Sequence, residues 1–296
     1  MPISRKIMGV SRGGGGKKAI FGYGYTSTAV SMTNLVSVTG VVSTDVTGVG
    51  SVRRLLAASG YGSDKGIFGY GYDSADFSLT NLVSNTGAVS ADTTGLGTAR
   101  RFLAAASYGT DKALFGYGIS GGYESITNRV SNTGVVSTDT TGVGTARSQL
   151  AASGYGSDKA IFGYGSTGPY ESLTNLVSST GVVSSDTTGV GTARVQLAAG
   201  SYGTDKALFG YGFASGNLSM TNLISSTGVV SADTTGVGTA RYGLAASSYG
   251  ADKALFGYGS GPVSITNLVS NTGIVSSDTT GVGTARSYLA ASSYGS

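Results

Sequence analysis

The chain has 296 residues with 51 Gly, no Cys, no His and no Trp, and only 11% of its residues are charged. Without Cys and His it can form no disulfide, no Cys or His metal centre, no Cys nucleophile and no Ser-His-Asp triad. We therefore predict a protein that is not an enzyme, with no catalytic residue, no metal and no cofactor.

Basic residues are concentrated at the N-terminus. Five of the 19 lie in the first 18 residues, which contain no acidic residue: Arg5, Lys6, Arg12, Lys17 and Lys18. The remaining 14 basic and 15 acidic residues nearly cancel, which disfavours nucleic-acid binding by the body of the protein. We predict a basic, Gly-rich N-terminal arm over residues 1–18 that docks a folded body, residues 19–296, to a larger assembly.

Two kinds of targeting segment are missing from the sequence. The N-terminus lacks the apolar core of a secretory signal, and no run of about 18 apolar residues could span a bilayer. We expect synthesis in the cytoplasm of a host, with no signal peptide and no membrane insertion.

The body is a tandem repeat. Phe-Gly-Tyr-Gly occurs six times at intervals of 47 residues, starting at Phe21, Phe68, Phe115, Phe162, Phe209 and Phe256. A period in the 40s that carries several short β-type runs is typical of a propeller blade. Apolar spacing of 3.6 residues is missing, so helices should be nearly absent. Strand segments with apolar residues at both odd and even positions indicate sheets that are buried on both faces.

One copy illustrates the predicted strands in chain order. After Arg147, strand a runs to residue 155, strand b covers residues 159–165, strand c covers 171–178, and strand d covers 182–185. Residues 18–46 would supply strands b, c and d of the first blade, and residues 286–296 its strand a. We predict an all-β, six-bladed β-propeller of four-stranded antiparallel blades, in which the N- and C-terminal strands share one blade and leave no free edge.

The repeat over residues 19–296 resembles the kelch repeat. One copy matches that pattern at Arg194, Leu197-Ala198-Ala199, Tyr202-Gly203, Ala207-Leu208-Phe209-Gly210 and Thr239-Ala240 before Arg241. Gly-Tyr-Gly replaces the kelch Gly doublet, and the Trp of the family is missing. Near-identical, Cys-free tandem copies rich in Gly, Ser and Thr also look like phage structural proteins. This resemblance implies a virion component, such as a capsid decoration, tail or fibre-associated protein, whose partners are other virion proteins.

Arg and Asp recur in step with the repeat. The six Arg are Arg53, Arg100, Arg147, Arg194, Arg241 and Arg286, and the six Asp are Asp45, Asp92, Asp139, Asp186, Asp233 and Asp278. Six Arg lining a central channel would form an anion ring, but six converging like charges repel one another unless they are paired. We predict intramolecular pairing instead. Each Asp would accept hydrogen bonds from Thr hydroxyls and turn amides, and pair with the Arg eight residues on.

Two segments differ between copies: the stretch between strands b and c, and the residues just after the repeating Arg. In an up-and-down blade, strand b ends and strand a begins at the same face, so both segments should lie together. The candidate binding residues there are Tyr25, Phe77, Tyr123, Glu124, Tyr170, Glu171, Phe213, Tyr242 and Tyr288. Aromatic residues suit a protein or carbohydrate partner.

These patterns favour a non-enzymatic structural, assembly and binding module. A glycan-binding lectin or host-adhesion head, which would bind a host glycan, is the main alternative. A glycosidase that uses Glu124 and Glu171 as paired carboxylates is a third.

Overall fold

The structure, a computed structural model, describes residues 16–295. Within that range the regular structure consists of β-strands, and no segment forms a helix, as the sequence predicts. It follows that no helix of the described chain is long and apolar enough to cross a membrane. Arg5, Lys6 and Arg12 of the predicted arm lie outside the described residues.

The described chain forms six three-stranded antiparallel sheets and one two-stranded hairpin. The first sheet begins with β1 (Lys18–Tyr25) and β2 (Ala29–Val36). The second contains β3 (Ala57–Tyr61), β4 (Lys65–Gly69) and β7 (Thr80–Val83), with the hairpin β5 (Tyr72–Asp73) and β6 (Ala75–Asp76) inserted between β4 and β7.

The remaining sheets repeat this arrangement of a leading, a second and a third strand. They are β8 (Ala104–Tyr108), β9 (Lys112–Ile119) and β10 (Tyr123–Val130); β11 (Ala151–Tyr155), β12 (Lys159–Ser166) and β13 (Tyr170–Val177); β14 (Ala198–Tyr202), β15 (Lys206–Phe213) and β16 (Asn217–Ile224); and β17 (Ala245–Tyr249), β18 (Lys253–Gly257) and β19 (Thr266–Val269). The last strand, β20 (Ala290–Tyr294), belongs to the first sheet, whose order is β2-β1-β20.

The second strand of each sheet is buried on both faces. In β9, the consecutive residues Ala113, Leu114 and Phe115 are each 0% exposed, which confirms the inference from apolar residues of both parities. The Phe115 ring meets the Tyr70 ring of the preceding sheet edge-on at 5.1 Å. Six such Phe–Tyr contacts lie between neighbouring sheets, and the buried apolar side chains form six clusters, one between each pair of neighbouring sheets.

The sheets have three strands, and the prediction of four-stranded blades is wrong. The segment after β10 pairs with it at two isolated bridges, Thr127↔Thr140 and Val130↔Val136, with one backbone hydrogen bond between them, from the Ser137 amide to the Arg129 carbonyl at 2.8 Å. Between these bridges, Ser137 Oγ accepts a hydrogen bond from the Arg129 amide at 3.0 Å, and Asn128 Nδ2 donates to the Ser137 carbonyl. Side chains thus replace part of the backbone ladder that a regular fourth strand would form.

The C-terminal strand pairs with the N-terminal one as the sequence predicts. β20 pairs antiparallel with β1 from Lys18↔Tyr294 to Gly22↔Ala290. Each leading strand contacts the leading strand of the next sheet, and β20 contacts β3 in the same way. The six sheets therefore follow one another around a common axis, an arrangement consistent with a six-bladed propeller.

Candidate functional site

The two variable segments lie together at one end of the sheets. Backbone bridges join Arg54 to Tyr72 and Arg101 to Ile119, and the same bridge recurs in three further sheets. In the sixth sheet, the Ser260 amide donates to the Tyr242 carbonyl at 2.8 Å. We call this end, formed by the loops after the second strands and the residues that follow the six repeating Arg, the variable face. The opposite end, which carries the turns between leading and second strands, is the hairpin face.

Six backbone hydrogen bonds form a closed circle at the centre of the variable face. Each N–H donates to the carbonyl of the equivalent residue one sheet back, at 2.7 to 3.0 Å. We call the six residues the axial ring: Leu55, Phe102, Gln149, Gln196, Gly243 and Tyr288. Their φ angles lie between 55° and 61°, in the left-handed region that favours glycine. Only Gly243 is a glycine, so five axial side chains are held on an unfavourable backbone.

The axial ring surrounds a depression of about 80 Å³. Its other lining residues are the buried Leu that follow each ring position: Leu56, Leu103, Leu150, Leu197, Leu244 and Leu289. Because the backbone amides and carbonyls of the axial ring bond to one another, the side chains supply most of the groups that line the depression.

Two glutamines meet on one side of the ring. Gln196 Nε2 donates to Gln149 Oε1 at 2.6 Å. The other half of the Gln196 amide is different, because its Oε1 is buried and has no hydrogen-bond partner among residues 16–295. A buried acceptor without a partner costs about 1–3 kcal/mol.

Three aromatic residues lie beside the glutamines. Phe213 and Tyr242 meet edge-on at 5.5 Å, and the Tyr242 and Tyr288 rings are 6.3 Å apart. Burial, reinforced by the charge and hydrogen bonding of Tyr242, raises the pKa of Tyr288 to about 12. The sequence predicted these three as binding candidates, and the structure brings them together.

A second cluster, not predicted from the sequence, stacks arginines on tyrosines across three sheets. The Arg54 guanidinium lies 4.2 Å from the centre of the Tyr25 ring and 5.8 Å from that of Tyr72. Arg101 lies 4.7 Å from the Tyr72 ring and pairs with Asp76 at 2.8 Å. The stack forms between residues of different copies, so the order of residues within one copy gives no sign of it.

The other predicted candidates do not join a common cluster. Tyr123 and Tyr170 are 39% and 41% exposed, and Phe77 is half-buried, with its amide bonded to the Gly71 carbonyl. Glu124 accepts a hydrogen bond from the Ser120 hydroxyl, and Glu171 accepts one from Thr167 Oγ1. Each of the two carboxylates is therefore held within its own loop.

The six repeating Arg are structural, as predicted. Arg147 is fully buried, and its Nε, Nη1 and Nη2 donate to the carbonyls of Tyr164 and Thr145 and to Asn175 Oδ1 at 2.7 to 3.1 Å. Its guanidinium also stacks 4.5 Å from the Tyr117 ring of the preceding sheet. These Arg bind groups of the protein between the sheets and do not line a channel.

The repeating Asp accept hydrogen bonds, but their Arg partner was wrongly predicted. Asp139 accepts from the Thr98 amide and hydroxyl and from Asn128 Nδ2. Although desolvation opposes it, these bonds hold the pKa of Asp139 below its ordinary value. The nearest Arg belongs to the same sheet, since Asp186 lies 3.8 Å from Arg147, and not to the sequence position eight residues on. The Asn that bonds both the Arg and the Asp sets this pairing.

The predicted arm leaves the body at the hairpin face. Lys17 and Gly250 exchange two backbone hydrogen bonds, at 2.9 and 2.7 Å. In the other sheets an Asp carbonyl occupies the position of Lys17, as where Gly156 donates to Asp205. Lys18 is the first residue of β1. The arm thus begins at the end of the sheets opposite the variable face.

The chain matches no protein-family model and no curated protein. The resemblance to kelch repeats rests on the residues of the repeat alone.

Proposed function

We propose that the chain is a closed six-bladed β-propeller that acts as a non-enzymatic assembly and binding module. Pairing of β20 with β1, and the cyclic contacts between leading strands, support closure of the ring. Each blade consists of three strands and a bridged edge segment.

The observation that carries the functional part is the contrast between the two faces. The hairpin face repeats nearly the same turns around the ring, whereas the variable face carries six different sets of side chains around one axis. A partner without sixfold symmetry can be recognised specifically only by residues that differ between the six sheets. The variable face therefore binds the partner, and its aromatic and Arg side chains are of the kinds enriched in interfaces.

The arm gives the module a second attachment point at the opposite end. Four of its five cations precede β1, the fifth, Lys18, is the first residue of β1, and the rest of the ring is nearly neutral. Such a segment suits docking onto an acidic surface of a larger assembly. Together with the near-identical, Cys-free copies, this two-ended layout supports a role as a virion component of a phage.

A double substitution on each face tests the assignment. Tyr123→Ser with Tyr170→Ser removes two exposed aromatic side chains from the variable face. Val135→Ser with Val182→Ser, at positions 64% and 57% exposed, makes a matched change on the hairpin face of the same two sheets. We expect the Tyr pair to weaken capture of copurifying partners at least tenfold and the Val pair to leave it unchanged. The reverse result would refute the proposal.

Deletion of residues 1–16 tests the arm. Lys17 keeps its bonds to Gly250, so the ring should melt as before while its incorporation into the assembly is lost. An unfolded ring, or normal incorporation, would contradict this role.

A glycan-binding head is the second candidate function. The cluster of Phe213, Tyr242 and Tyr288 beside an amide pair favours it, because carbohydrate sites combine aromatic surface with a few placed polar groups. Binding of the isolated ring to an array of glycans would separate this candidate from a purely protein-binding role.

A further inference from the structure

We infer that a cavity on the hairpin face, lined by Lys17 at the foot of the arm, binds one carboxylate side chain of an acidic protein. This inference rests on the proposed docking of the arm onto an acidic surface. It names the group of that surface that contacts the ring, and the residues of the ring that bind it.

The cavity has a volume of about 120 Å³ and lies among the turns that join leading and second strands. Residues of three neighbouring sheets, within 107–110, 154–159 and 201–206, form most of its wall, and Lys17 also lines it. The backbone of Lys17 is bonded to Gly250, in the turn of the sixth sheet. Lys17 thus brings a cation of the arm to turns that belong to the third, fourth and fifth sheets.

Lys17 reverses a charge that the other copies of the repeat share. The other five turns place an Asp immediately before the Lys that starts the second strand, as in Asp158-Lys159, whereas the first sheet has Lys17 before Lys18. In four of those turns the Asp pairs with the adjacent Lys Nζ at 2.7 to 3.2 Å, but neither Lys17 nor Lys18 pairs with an acidic side chain of residues 16–295. The turns are therefore balanced in charge except where the arm joins β1.

The charge of the cavity matches one carboxylate. Its other two cations, Lys159 and Lys206, each pair with the Asp that precedes them, at 3.1 and 3.2 Å. Lys17 then supplies the one positive charge that remains unbalanced. A carboxylate carries a single negative charge and balances it, whereas a phosphate group, with a charge close to −2, would leave an excess of negative charge beside the two Asp.

The lining of the cavity supplies hydrogen-bond donors. All but one of the lining residues, a Gly, carry a polar side-chain group, and Thr110, Ser157 and Thr204 place hydroxyls at equivalent positions of the three turns. Ammonium and hydroxyl groups both donate to a carboxylate. The Lys159 and Lys206 side chains are 45% and 47% exposed, so a partner can reach them. At about 120 Å³ the cavity is smaller than the roughly 300–1,000 Å³ of sites that enclose a whole small-molecule ligand, and it admits the end of one side chain.

The experiment measures binding of the full chain to an immobilised peptide, Gly-Ser-Glu-Glu-Ser-Gly, by surface plasmon resonance. A second peptide carries Gln-Gln at its centre, and a third carries two phosphoserines. Lys17→Ala and Lys159→Ala each remove one cation from the cavity. Lys17→Asp introduces the residue that the other five copies carry at this position, so it should fold normally. Lys65→Ala, which removes a cation of the same face outside the cavity, is the matched control.

We expect the Glu peptide to bind more tightly than the other two peptides. Lys17→Ala and Lys159→Ala should weaken its binding about fivefold or more, and Lys17→Asp about tenfold or more. Lys65→Ala should bind like the parent chain, because at physiological salt charges more than about 8 Å apart are largely screened. Equal binding of the Glu and Gln peptides, tighter binding of the phosphoserine peptide, or parent-like binding by Lys17→Asp would overturn the inference.

A further variant separates the cavity from the arm. Arg5→Gln with Lys6→Gln and Arg12→Gln removes the other cations of the arm and keeps both its length and Lys17. This variant should bind the Glu peptide nearly as tightly as the parent chain. If it loses binding while Lys17→Asp keeps it, the arm docks without the cavity, so the inference is wrong and the proposed docking of the arm stands.

Discussion

Removing residues 286–296 should prevent the ring from folding. The deletion takes away β20, including Leu289 and Tyr294, which are 5% and 3% exposed. Burying a large apolar side chain stabilises by about 1.5–3 kcal/mol, so the two contribute about 3–6 kcal/mol. Arg286 also donates to the Tyr23 carbonyl and to Asn34 Oδ1, at 2.8 and 2.7 Å. Leaving these two buried acceptors unpaired costs about 1–3 kcal/mol each.

The total loss of about 5–12 kcal/mol is comparable with the whole stability of a typical domain, about 5–15 kcal/mol. We expect the truncated chain to show no cooperative transition when urea or thermal unfolding is followed by circular dichroism. A truncated chain that melts within a few degrees of the intact one would refute the reasoning.

A circular permutant is the matched control. Tyr294-Gly295-Ser296 followed by Lys17-Lys18 repeats the pattern of the turn at residues 155–159, so joining Ser296 directly to Lys17 rebuilds that turn. New ends between Gly121 and Gly122 fall in a loop where an added Cβ would meet nothing within 4 Å. The permutant keeps every strand and should melt like the parent. Its failure to fold would show that the chain ends contribute more than the pairing of β20 with β1.

Three further predictions concern the repeated core. Gly116→Ala places a Cβ 2.8 Å from the Phe162 ring and should lower the free energy of unfolding by about 1–3 kcal/mol in urea titrations, whereas Gly122→Ala, in open space, should cost little. Arg147→Met leaves two buried acceptors, the Tyr164 carbonyl and Asn175 Oδ1, without a donor and should cost about 2 kcal/mol or more in the same assay. Because the folded-state pKa of Asp139 lies below that of the unfolded chain, about 3.9, its stabilisation is complete above about pH 4 and is lost as the pH falls through the folded value. In melts from pH 7 to pH 3, Asp139→Asn should therefore be less acid-sensitive than the parent, and equal slopes would contradict this.

The 47-residue period was sufficient to predict most of the fold. It fixed the number of sheets, the strand order and the pairing of the two chain ends, because each copy places the same apolar run at the same offset. The absence of a regular fourth strand could not be predicted from the period. Ser137, which accepts from the Arg129 amide, and Asn128, which donates to the Ser137 carbonyl, fit equally well beside a regular fourth strand or a bridged edge segment, and only the three-dimensional geometry separates the two.

The candidate site was predictable only in outline. The differences between copies indicated the variable face and the aromatic candidates, since a face that binds an asymmetric partner must differ from blade to blade. The axial ring was missed because Leu55, Phe102 and Tyr288 carry no sequence sign of a positive φ. Gly243 was the one available clue. The stack of Arg54 on Tyr25 was missed because its members come from different copies.

Among the non-Gly residues with a positive φ, two sets differ in their cause, and packing within the fold explains only one of them. The Tyr of each Gly-Tyr-Gly also has a positive φ, such as 63° at Tyr117. This Tyr is identical in all six copies and fully buried, and its hydroxyl donates to a carbonyl of the loop that leads to the next sheet, such as that of Val143. Packing accounts for that strain. The axial ring has the same kind of φ, yet its side chains are mostly half-exposed and vary from copy to copy. The hydrogen bonds of the axial ring involve only backbone atoms. Gly would adopt the same positive φ at a free-energy cost that is lower by about 1 kcal/mol or more per residue. Five axial positions carry a side chain where Gly would cost less, and these side chains differ from one sheet to the next. This supports a role for them at the surface, where a ligand in the axial depression would contact them.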